Sequence, residues 1–185
     1  MLMMICVGSA ELSMSQWSSL FAELGLNVSK SMGDLMGPCA FALLMGLSRL
    51  FYGIKGENID LSKFLIGSSI LCVISYLAAV FAPHPVLSLI GCAVTGLAVG
   101  IMWPGTFSLA AKTYAQGGTA MFALLALAGD TGCSAGPTLV GFVSAALGDD
   151  LKRGLLAAIL FPVLILIGIA LCRMVTKGAT HENNT

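Results

Sequence analysis

Residues 154–173 read GLLAAILFPVLILIGIALCR, a run of twenty in which no charge appears before Arg173. Twenty residues of helix rise about 30 Å, the thickness of bilayer hydrocarbon. The run is continuous rather than alternating, so a strand is a poor reading. It predicts a membrane-spanning helix and sets the pattern for the rest of the chain.

Working outward, five more stretches of similar length follow the same pattern: Met1 to Ala22, Leu35 to Ile54, Phe64 to Ala82, Pro85 to Ala111 and Thr119 to Leu147. Short polar segments separate them. The prediction is an all-α membrane protein with six transmembrane helices over residues 1–176. A polar tail, 177–185, is expected to be cytoplasmic and disordered. Composition agrees, because 57% of the 185 residues are hydrophobic and 10% are charged. Globular domains carry about 25% charged residues. Nine basic residues balance nine acidic ones, which leaves no charged face for nucleic acid. The first stretch is apolar from Met1, without a basic region or a small-residue cleavage site. It is expected to remain as a span.

Basic residues in short loops orient such proteins. With the N-terminus inside, the cytoplasmic side collects Arg49, Lys55, Lys63, Lys112, Arg173 and Lys177, against Lys30, Lys152 and Arg153 outside. Both termini are expected to be cytoplasmic, in a multi-pass protein of the cell (inner) membrane. An Asn27-Val28-Ser29 sequon falls on the outside, as chance allows. Cys6, Cys39, Cys72, Cys92, Cys133 and Cys172 are spread about one per apolar stretch, and His84 and His181 are the histidines. Metal ligands come in clusters with short spacings. No metal, cofactor or disulfide framework is expected, and the cysteines are read as small packing residues.

Ionisable groups within spans cost at least about 2.5 kcal/mol on the insertion scale. Glu11 lies midway along the first stretch and Asp130 midway along the fifth. Each is expected to face protein or water, as a substrate contact, a proton-coupling carboxylate or a group hydrogen-bonded between helices. Glu11, Ser15, Ser18 and Ala22 recur at helical spacing, with Ser13, Gln16 and Trp17 on a neighbouring strip. A helix this polar most simply lines an aqueous cavity. Asp130 and Ser134 lie one turn apart.

Gly96 and Gly100, followed by Trp103, Pro104 and Gly105, form one G-x-x-x-G pair. Gly132 and Gly136, followed by Pro137 and Gly141, form another. Glycines four apart let helix backbones approach. Each proline frees a carbonyl one turn back and bends its helix. Gly132-Cys133-Ser134-Ala135-Gly136 also matches the G-x-S-x-G nucleophile pattern. That pattern needs a strand-to-helix elbow and a histidine base. Inside a spanning helix it is read as packing, and no enzyme activity is expected.

These residues resemble the C-terminal half of a major facilitator superfamily transporter. Gly132-x-x-x-Gly136-Pro137-x-x-x-Gly141 is similar to the superfamily's G-x-x-x-G-P signature. The segment from Gly46 to Gly56, with Arg49 and Gly53, is similar to a degenerate cytoplasmic loop motif between the second and third stretches, without the aspartate and basic cluster of the strong version. The resemblance implies helices seven to twelve of a twelve-helix fold, with solute held between two halves that rock. It implies Glu11, Ser15, Gln16, Trp17, Thr95, Trp103 and Asp130 as cavity residues, the tryptophans stacking on a sugar ring or anchoring at an interface. The nearest branch is sugar-permease-like.

The expected function is therefore half of a secondary transporter for a small solute, a sugar or an organic ion, with proton or ion coupling through the carboxylates. One half cannot form a two-walled cavity. A missing N-terminal six-helix half or a homodimer partner is expected, and a fragment of a longer protein is the favoured reading. The alternative is a non-transporting membrane scaffold or accessory subunit.

Overall fold

Four of the apolar runs form helices long and apolar enough to cross a membrane. The computed structural model describes residues 1–25, 29–56, 59–114 and 116–182, with side chains as far as Cys172. Among these residues every regular element is helical. In chain order they are α1 (Leu2–Leu20), α2 (Lys30–Lys55), α3 (Leu61–Phe81), α4 (Pro85–Thr113), α5 (Gly118–Ala146) and α6 (Leu151–Cys172). The backbone of α6 continues as helix to Glu182. Residues 183–185, and the Asn27 and Val28 of the sequon, lie outside the described residues.

The four apolar, membrane-length helices are α2, α3, α4 and α6. The other two, α1 and α5, have 19 and 29 residues. Their Glu11, Asp130 and many serines and glycines hold them below that apolar level. Capping and prolines set the ends and irregularities. The Asp60 carboxylate accepts the Lys63 N–H at 3.2 Å at the start of α3, and Asp150 accepts the Lys152 N–H at 2.9 Å at the start of α6. Pro38 lies in a wider turn over Leu35–Cys39 of α2. Pro104 lies one turn beyond a break at Gly100 and Ile101, which divides α4 into Pro85–Val99 and Met102–Thr113.

One expectation needs correction here. The segment 46–56 is not a loop between spans: Ala40–Lys55 is continuous helix, and Gly46, Arg49 and Gly53 lie within it. The motif's apolar spacing simply continues the helical pattern of α2. Arg49 therefore leaves the set of loop cations that orient the chain.

At the centre of the assembly, Val7 and Met14 of α1 and Phe21 just beyond it are buried in one apolar cluster with Cys72 and Tyr76 of α3 and Ile165 of α6. The Tyr76 hydroxyl donates to the Ala10 carbonyl at 2.7 Å, tying α3 to α1. Facing outward, α3 exposes Ile70, Ile74, Leu77 and Phe81, and α2 exposes Leu43, Leu47, Leu50 and Ile54. Contiguous apolar faces of this kind belong against lipid or another protein.

Candidate functional site

The site is built on the contact between α1 and α5. A Cβ on Gly132 would overlap the Ile5 carbonyl, and one on Gly136 would stand 2.5 Å from the Ser9 carbonyl oxygen. Trp17 lies against Gly141. Partners that rise together along both helices (5 with 132, 9 with 136, 17 with 141) mean that α1 and α5 run parallel. Ser9 Oγ donates to the Gly132 carbonyl at 2.9 Å, and Trp17 Nε1 donates to the Pro137 carbonyl at 3.0 Å. The predicted packing role of Gly132, Gly136, Pro137 and Gly141 is thus given a partner, α1. Gly96 and Gly100 play the same part between α4 and α2, where added Cβ atoms would meet Phe41 and Met45.

Three helices converge on one cation, from the middle of α1, the C-terminal part of α2 and the break in α4. Arg49 Nη2 stands 3.4 Å from Glu11 Oε1, and Arg49 Nε donates to the Gly100 carbonyl at 3.2 Å. Pro104 has no N–H, so the carbonyl four residues earlier, Gly100, loses its helical donor. Arg49 supplies the replacement. Its planar fork suits two acceptors at once, which lysine would serve less well. Glu11 keeps 12% of its side-chain surface exposed, Arg49 45%. The second carboxylate oxygen of Glu11 is buried without a hydrogen-bond partner.

The rest of the predicted α1 face is not open along its length. Ser18 and Ala22 are buried, and Ser18 packs against Gly37 of α2. Ser18 Oγ donates to the Ser15 carbonyl at 3.1 Å. Gln16 is exposed, while Ser15 is half-buried. Thr95 is fully buried, its hydroxyl donating to the Gly91 carbonyl at 3.0 Å, so it does not join the site. Both tryptophans pack on α5, Trp17 as described and Trp103 over Gly129, where a Cβ would overlap its ring.

Asp130 differs from Glu11. It is exposed, and its carboxylate has no hydrogen-bond or ion-pair partner among the described residues. It heads a polar belt in the middle of α5, with Thr131, Ser134 and Thr138 also exposed. Their hydroxyls donate to the carbonyls of Leu127, Asp130 and Ser134 at 2.8, 3.4 and 2.7 Å. Apolar residues flank the belt, with Leu124 and Leu127 exposed below it and Phe142 above.

No family model, curated protein or solved structure matches this chain. Its chemistry therefore has to be read from its own residues. Among the described residues no three His, Cys, Asp or Glu side chains come together as a metal site. Ser134 lies inside α5, bonded to its own helix. The hollows at the helix ends are of about 240 Å³, lined by Leu24 and Asp149 to Lys152, and about 420 Å³, lined by Thr113, Tyr114, Gln116 and Gly117. Neither includes Glu11 or Asp130. The candidate site is taken as the exposed face around Asp130.

Sequence reasoning placed Arg49 in a loop motif and missed its pairing with Glu11 and the Gly100 carbonyl. A signal was present: an arginine within an apolar run carries the same penalty as Glu11 and asks for the same kind of partner. The link from Pro104 to the Gly100 carbonyl was also readable, since it follows from counting back four residues.

Proposed function

We propose that this chain is a six-helix transmembrane bundle forming one wall of a solute pathway, in the manner of the C-terminal half of a major facilitator superfamily transporter. The observation that carries this reading is the belt in the middle of α5. Its hydroxyls are satisfied by their own helix and would tolerate lipid. The Asp130 carboxylate has no such recourse, and an unpaired carboxylate at bilayer depth belongs against water or a second protein surface. A helix apolar at both ends and polar at its centre is the reverse of a lipid-facing one. On this reading α1 and α5 also span, both termini are cytoplasmic, and the second wall comes from a partner half or a second copy.

Thiol accessibility in native membranes tests it. Cysteines replacing Asp130, Ser134 and Thr138 should react with a membrane-impermeant methanethiosulfonate reagent, and one replacing Ile74 should not. Unreactive positions on α5 would sink the pathway. Uptake into vesicles containing both walls should be lost in Asp130→Ala.

A second reading is a non-transporting accessory subunit. It is favoured by the Glu11–Arg49 pair, which gives one of the two mid-helix carboxylates a structural role. Co-purification with another membrane protein, with no solute movement by the complex, would establish it.

A further inference from the structure

Resting on the pathway reading above, we propose that the face around Asp130 recognises an organic cation, with Asp130 as counter-charge and the aromatic row of Trp103, Phe107 and Phe122 receiving its apolar body. Charge comes first. Glu11 is matched by Arg49, so the two mid-depth carboxylates and one guanidinium leave a single uncompensated negative charge, on Asp130. An anionic solute would meet that charge unopposed. The described lysines do not oppose it either, since Lys30 and Lys55 stand at the two ends of α2, Lys63 and Lys152 in the first turns of α3 and α6, and Lys112 in the last turn of α4.

A sugar would need several free hydrogen-bonding groups, and the face is poor in them. Thr131, Ser134 and Thr138 spend their protons on their own helix, which leaves their oxygens able to accept but no free donor among them, and Thr95 is buried. An inorganic cation would need several oxygen ligands, and among the described residues no such group of acidic side chains exists.

What the face does hold is aromatic surface. Trp103 lies over Gly129, the residue next to Asp130, and is part-exposed. Its ring centroid is 6.1 Å from that of Phe107, which is 5.9 Å from Phe122. Phe122 precedes Asp130 by eight residues, two turns on the same face of α5. A carboxylate one residue along the chain from the glycine that seats an indole ring offers an ammonium group both a counter-charge and, for its apolar substituents, aromatic surface on the same stretch of helix.

Equilibrium dialysis of radiolabelled benzyltrimethylammonium against the full chain in nanodiscs tests this, with benzyl alcohol and benzenesulfonate as neutral and anionic competitors. Saturable binding is expected, weakened on the order of tenfold by Asp130→Asn and severalfold by Trp103→Leu. Neither competitor should displace the cation. Asp130 is exposed, so its variant should fold, and a circular-dichroism spectrum matching the parent checks this. Absence of saturable binding, binding unchanged in Asp130→Asn, or displacement by benzenesulfonate would overturn the assignment. The two readings fail separately. Uptake of a neutral or anionic solute that needs Asp130 would keep the pathway and remove the cation. Asp130-dependent cation binding without any transport would keep the site and remove the pathway.

Discussion

Both α3 and α5 expose a face, and the two faces are built to opposite plans. Down α3 the exposed residues are Ile70, Ile74, Leu77 and Phe81, apolar from the middle to the end. Down α5 they include Phe122, Leu124 and Leu127, then Asp130, Thr131, Ser134 and Thr138, then Phe142. A surface meant for lipid has no reason to place its polar residues at the centre. The difference separates a face that lipid can cover from one that waits for water or protein. It also explains why a composition average misleads for α5, whose apolar ends and polar middle cancel.

The contrast rests first on α5 being held in register against α1. Gly132→Leu drives a side chain into the Ile5 backbone, which cannot retreat as a side chain would. A loss of about 3 kcal/mol or more is expected. It should read as a collapsed yield of folded chain and a lowered thermal midpoint. Normal melting of the variant would show that α1 and α5 are not in backbone contact.

The faces themselves can be exchanged. Ile74→Asp should cost about 2.5–3.5 kcal/mol of membrane insertion, measured by a glycosylation-reporter assay. Asp130→Leu should leave insertion unchanged or improve it. Equal penalties at the two positions would erase the distinction drawn here. The smallest effect lies where α1 meets α2. Arg49→Ala, Glu11→Gln and the double variant should give a coupling energy of about 1 kcal/mol by urea or thermal unfolding, modest because Arg49 is nearly half exposed. Strict additivity would reduce the pair to coincidence.

Much of the fold was legible in the residues. The apolar runs gave α2, α3, α4 and α6 to within a few positions, because a helix in an apolar medium is specified by length and composition alone. The glycine pairs announced close contacts, yet not their partners. Nothing along α5 says that its glycines meet α1 rather than a nearer neighbour, since that choice is made by packing across the bundle. The site was half legible. Glu11 and Asp130 stand out as charges midway along long, largely uncharged stretches. Their different fates, one paired and one bare, depend on helix rotation, which a helix of mixed polarity does not reveal. Thr95 turned inward for the same reason. The pairing of Arg49 was not legible because a cation near the end of an apolar run looks like a loop marker.

The parallel contact between α1 and α5 carries a consequence for how the chain is made. Ser9 and Gly132, which share a hydrogen bond, are 123 residues apart. At about 5–20 residues per second of synthesis, α5 emerges roughly 6 to 25 s after the helix it must embrace. Arg49, 38 residues beyond Glu11, arrives within roughly 2 to 8 s. Tyr76, whose hydroxyl bonds the Ala10 carbonyl 66 residues back, also precedes α5, so α1 meets partners from α2 and α3 before the helix it packs against most closely.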